Sequence, residues 1–172
     1  MIMIYETEKI ERKSIKRWLI AFVVLLILSG VTAFPIETEL KWLVHNDSFF
    51  PSFLRQWIVQ IYYAVKQMNF QFPQLSYGTD WLAFAHIVIG VAFIGPLLDP
   101  VKNVWVLIFG MIACAMVFPL AIICGSIRSI PFYWRLIDCA FGVFGFIPLW
   151  ICFVKVRKIE KIMKVNALSN PT

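Results

Sequence analysis

The sequence predicts an all-α polytopic membrane protein, with four transmembrane helices, both termini inside, and an interfacial amphipathic helix in the first outer loop. Three observations lead there. Hydrophobic residues fill 60% of the 172 positions and charged residues only 15%, against roughly 45–50% and about 25% in soluble domains. The apolar residues gather into four runs close to the ~20 positions that a bilayer requires. The cations flank those runs, mostly on one side. Such a composition excludes a disordered chain, a disulfide-stapled secreted domain and an ordinary cytosolic enzyme domain. The length suits one integral membrane domain over residues 1–172.

The first span, residues 18–34, ends at Pro35 and reaches about 25 Å at 1.5 Å per residue. Val31, Thr32 and Ala33 resemble a signal-peptide cleavage site. The long mixed-charge leader with Glu6, Glu8 and Glu11 favours a retained helix. The second span covers residues 79–98, the third 102–124 and the fourth 131–154. Thr79 is expected to cap the second. Asp99 is expected to cap the third, with Pro100 in its first turn. Pro119 should kink the third span, which membrane helices tolerate.

Counting Lys and Arg orients the chain. Eleven lie in the N-terminal segment, the loop between spans two and three, and the C-terminal tail; five lie on the other side, Lys41, Arg55 and Lys66 in the first outer loop plus Arg128 and Arg135. Positive charge stays inside, so both termini are expected on the cytoplasmic side of a cytoplasmic (inner) membrane. The same flanking pattern accounts for the net charge of +6 without a nucleic-acid partner, for which no basic, aromatic-studded soluble surface exists. The basic tail, residues 155–164, continues the fourth helix and can rest on anionic lipid.

In the first outer loop, Phe50, Phe53, Leu54, Trp57, Ile58, Ile61, Tyr62 and Val65 recur at helical spacing. A helix over residues 51–68 is expected to lie on the outer membrane surface. As a lid or interface helix it would offer Arg55, Trp57 and Lys66.

Ionisable groups inside spans point to function because burying them in hydrocarbon is costly. Asp80 and His86 in span two, and Arg135 and Asp138 in span four, share the outer half, with Arg128 in the adjoining loop. Each has a simpler explanation. Asp80 can complement a helix dipole, His86 can hydrogen-bond between helices, and Asp138 can pair with Arg135 or Arg128. Taken together, Asp80, His86, Arg128, Arg135 and Asp138 are expected to line an outward-facing polar cleft for an anionic or zwitterionic group.

No HxxxH, HExxH or CxxC spacing occurs, so neither a metal nor a cofactor is expected, and no residue asks to be catalytic. Cys114, Cys124, Cys139 and Cys152 lie in apolar spans as small hydrophobes. Cys124 and Cys139 share the outer half, which leaves a disulfide open. Ala83, Gly90 and Gly95, with Gly110, Cys114, Ala140, Gly142 and Gly145, permit close helix approach. They are expected to join spans two, three and four.

Asp80, His86 and the stretch Trp134-Arg135-Leu136-Ile137-Asp138-Cys139-Ala140-Phe141-Gly142-Val143-Phe144-Gly145 resemble small four-span bacterial membrane proteins, VanZ-like proteins among them. That family has an Asp and a His near the outer end of span two, and an Arg followed by Asp-x3-Asn-x2-Gly entering the last span. Asp80, His86, Arg135, Asp138 and Gly145 stand at the corresponding positions. The Asp–His spacing here is longer, Gly142 replaces the Asn, and no Glu-x-x-Gln precedes Arg135. The resemblance covers about the last half of the chain. It implies a cell-envelope role near lipid or glycopeptide chemistry.

The expected function is a binding or transport module holding a lipid headgroup or envelope-linked amphiphile, with membrane lipids as partners. One alternative is a structural accessory subunit docked on another membrane protein. Proton-coupled transport through His86 and Asp138 is a third.

Overall fold

A computed structural model describes the backbone of residues 2–46 and 50–169 and the side chains of residues 6–46 and 50–165. Among the described residues all regular structure is helical: α1 (Ile2–Ala33), α2 (Ile36–His45), α3 (Ser52–Gln71), α4 (Pro73–Ala92), α5 (Ile94–Leu98), α6 (Val104–Pro119), α7 (Gly125–Ile127) and α8 (Phe132–Ser169), with a π-helical turn at Leu120–Cys124. Among the described residues, four stretches are long and apolar enough to cross a membrane: Glu6–Ala33, Pro73–Leu98, Val104–Ile127 and Phe132–Val165. Mean hydropathy along them runs from 1.9 to 2.7.

Proline sets most of the helix boundaries. Residues before a proline are pushed out of the helical region, and α1 ends two residues ahead of Pro35. Beyond it lies a helix that the loop was not expected to hold. In α2, Glu37 and Glu39 occupy the first turn and His45 the last, the charge order that a helix dipole favours. The second span begins earlier than expected. Pro73 takes a first-turn position, where its missing N–H costs nothing, and Leu75 N–H bonds Phe72 O at 2.9 Å. Residues 74–78 therefore join α4, and Thr79 sits inside the helix rather than capping it.

The next break follows the same logic. Pro96 cannot donate to Ala92 four residues back, and α4 stops at Ala92 before α5 resumes. Asp99 does not cap α6. Its carboxylate accepts the N–H groups of Val101 at 3.1 Å and Lys102 at 3.2 Å, so it stabilises the turn after α5. The Lys102 backbone N–H, above all, holds the Asp99 carboxyl below its ordinary range. Asn103 precedes α6 and donates from its side chain to Gly95 O and Asp99 O. Pro119 does disturb its span: the ladder passes into the π turn that follows it. Pro148 lies within α8, which continues through it.

The chain groups into two compact units, residues 1–24 with 92–172 and residues 25–91. In the first, Ile15 and Leu19 of α1, Phe93, Leu107 of α6, and Leu149, Cys152, Val156 and Ile159 of α8 form the core. The α8 members recur at three- and four-residue steps, the spacing of a helix–helix seam. Glycines let α6 and α8 approach. A Cβ on Gly142 would stand 2.8 Å from the Cys114 carbonyl oxygen, and one on Gly110 would stand 2.7 Å from Leu149. At one end, Glu11 is nearly buried and accepts hydrogen bonds from Lys155 at 2.6 Å and Lys158 at 2.7 Å. All four cysteines, Cys124 and Cys139 included, are free.

In the second unit, α3 packs on α2 with Ile58 and Tyr62 buried. Small residues of α4 meet α1. A Cβ on Gly90 would fall 2.8 Å from Ile27, and one on Gly30 would fall 2.7 Å from Ala83 O.

Candidate functional site

The clearest polar recess lies in the second unit, where the α1–α2 corner, the last turn of α3 and the start of α4 meet. Its volume is about 190 Å³. Glu37 comes from the first turn of α2, Asn69 from the end of α3, and Ser76, Thr79 and Asp80 from the first two turns of α4; all five are half-buried. Ser76 Oγ donates to Asn69 Oδ1, and Asn69 Nδ2 donates to Glu37 Oε2 at 2.5 Å. This relay joins three helices and orients Glu37. Asp80 stands one turn beyond Ser76, and among the described residues its carboxylate has no hydrogen bond or ion pair of its own. Phe34, Ile36 and Met68 supply an apolar wall. The lining carries two carboxylates and no Lys, Arg or His. It suits a cationic, hydrogen-bond-donating group attached to something apolar.

Of the candidate site residues named from the sequence, only Asp80 lines this recess. His86 is six residues further along α4, about 9 Å at 1.5 Å per residue. Its Nδ1 lies 2.8 Å from Leu82 O, and because a carbonyl only accepts, Nδ1–H is the donor. His86 is thus satisfied by its own helix, its Cβ beneath Gly30. Arg55 and Trp57 are half-buried near the start of α3, and Lys66 lies over the Tyr62 ring at 5.9 Å. Asn69 and Met68 border the recess instead, and Arg55 is fourteen residues from Asn69, about 21 Å along a helix.

Arg128, Arg135 and Asp138 belong to the first unit. Arg128 is exposed in the turn after α7, next to Ser129, whose φ of 55° is positive. Arg135 lies over Gly125, where a Cβ would collide with its Cδ, and donates Nη1–H to Ser126 Oγ at 2.6 Å. Its guanidinium also sits 5.5 Å from the Phe132 ring centre. Among the described residues, Asp138 forms no ion pair with Arg135 or Arg128. Helical side chains lean toward the N-terminus, and Arg135 reaches back to Ser126, away from Asp138.

Glu37, Asn69 and Ser76 escaped the sequence reading. The acidic first turn after Pro35 was the available signal for α2. Nothing local announces a contact between positions 37 and 69. Among the described residues, no group of three His, Cys, Asp or Glu side chains is placed to hold a metal ion.

The fold and recess describe a multi-pass helical membrane protein with a small acidic, half-buried pocket. Comparison with protein-family models, with curated proteins and with solved structures found no match to the chain.

Proposed function

We propose that this protein is an integral membrane binding or transport module that receives the ammonium end of a membrane amphiphile in the recess beside Asp80. One observation carries the reading: two carboxylates share a half-buried pocket that, among the described residues, no cation enters. Charge-assisted hydrogen bonds are roughly twice as strong as neutral ones, and Glu37, Asp80 and the Thr79 hydroxyl offer three acceptors. The apolar wall of Phe34, Ile36 and Met68 fits the remainder of such a ligand.

Both termini lie in the cytoplasm and the recess opens outward. The eleven-to-five charge count supports this orientation. Glu11, which precedes the first apolar run and bonds Lys155 and Lys158 beyond the fourth, supports the two termini sharing a side. In that frame α2 and α3 rest at the outer surface of the cytoplasmic membrane. The VanZ-like pattern at Asp80, His86, Arg135, Asp138 and Gly145 accords with an envelope amphiphile.

Native mass spectrometry of the detergent-purified protein tests the proposal, using phosphatidylethanolamine against phosphatidylglycerol. The wild type should retain the amine-bearing lipid. Asp80→Asn and Glu37→Gln should each weaken that retention about 10-fold or more, the loss of a hydrogen bond to a charged group. Equal retention of phosphatidylethanolamine by all three proteins would sink it.

A further inference from the structure

A second cleft, of about 330 Å³, lies in the first unit at the end that carries Glu11. Arg12, Lys13 and Lys16 of α1 line one side, and Pro96, Leu97 and Leu98 of α5 line the other. We infer that this cleft is a binding site for an anionic phospholipid, with its phosphate on the α1 cations and an acyl chain along Leu98.

Three observations carry the inference. First, the nearby acids are already committed. Glu8 pairs with Arg12 at 2.8 Å, Glu11 with Lys155 and Lys158, and Asp99 with Lys102 at 3.7 Å and the backbone of its turn. Lys13 and Lys16 are exposed, and among the described residues neither has an acidic partner. The cleft therefore presents uncompensated positive charge. Secondly, the opposite wall is apolar: Leu98 is 81% exposed, an expensive state in water and a neutral one against acyl chains. Thirdly, the cleft sits at the level where the two environments meet. Lys16 is two residues before Trp18, where the apolar run of α1 begins, and Leu98 ends the second apolar stretch. A free phosphate would use the cations and leave Leu98 idle. A phosphodiester with an acyl tail uses both walls.

The site is separate from the acidic recess, takes the opposite charge, and does not depend on it. The test uses full-length protein in detergent, with phosphatidylglycerol retention read by native mass spectrometry. The double substitution Lys13→Gln, Lys16→Gln should weaken retention roughly 30-fold, from about one kilocalorie per cation at an anionic surface. Leu98→Glu, at the exposed wall, should weaken it as well. Lys161→Gln, Lys164→Gln removes two cations from the tail and should weaken retention several-fold less than the cleft pair, while Asp80→Asn should leave it unchanged. Equal losses from the tail pair and the cleft pair would mean diffuse attraction and overturn the site. Displacement of the lipid by millimolar inorganic phosphate, with Leu98→Glu without effect, would make it a phosphate site and overturn the lipid assignment. Unchanged thermal unfolding of the cleft variants is expected, since both lysines are exposed and free of acidic partners.

Discussion

Glu11 is the residue on which the first unit turns. Its side chain is only 12% exposed, yet it accepts from two lysines of α8 that are 26% and 54% exposed. Hydrogen bonds to charged groups contribute about 1.5–3 kcal/mol, so Glu11→Ala should destabilise the protein by about that much. Thermal unfolding in detergent, within a double-mutant cycle against Lys155→Met, measures it. A coupling energy near zero would mean that solvent screens the pair. In the sequence, Glu11 read as one acid in a mixed-charge leader. Its partners are more than 140 positions away, and no local pattern connects them. The recess has the same history: Asp80 was conspicuous because an acid in an apolar stretch is costly, whereas Glu37 and Asn69 lay in a polar loop where such residues are ordinary.

Among the elements, α4 and α8 carry glycines that look alike in sequence and differ in structure. Gly142 faces the backbone of α6, and a backbone atom cannot swing aside. Gly142→Ala should therefore push α8 from α6 and cost about 1–3 kcal/mol, the usual penalty of overpacking. Among the described residues, nothing lies within 4 Å of a Cβ built on Gly78 in α4, so Gly78→Ala should be neutral or stabilising by up to about 1 kcal/mol. Paired unfolding midpoints check both, and a loss of equal size at the two sites would contradict the packing. The elements themselves were largely legible. Apolar runs of spanning length, and Pro35 and Pro119 as punctuation, are local signals. The boundaries were less so, because Pro73 and Asp99 can each serve two purposes. A proline can open a helix or end one. An aspartate can cap a helix or a turn, and the path of the chain selects between them.

At the scale of the whole chain, the orientation has a direct test. With the four native cysteines replaced by alanine, Lys9→Cys and Lys161→Cys should resist a membrane-impermeant maleimide in intact cells, while Lys41→Cys should label. Labelling of the Lys9 position before permeabilisation would reverse the orientation. Hydropathy and charge along the chain were enough to establish an all-helical protein with four membrane-length apolar helices, because span length and helical periodicity are properties of contiguous residues. Which polar groups become partners is not such a property. Glu11 with Lys155, Glu37 with Asn69 and Ser76, and Arg135 with Ser126 rather than Asp138 depend on which helix faces meet and which way side chains lean. Those choices are made by close packing at Gly30, Gly110 and Gly142, where a single methyl group would collide with a neighbour.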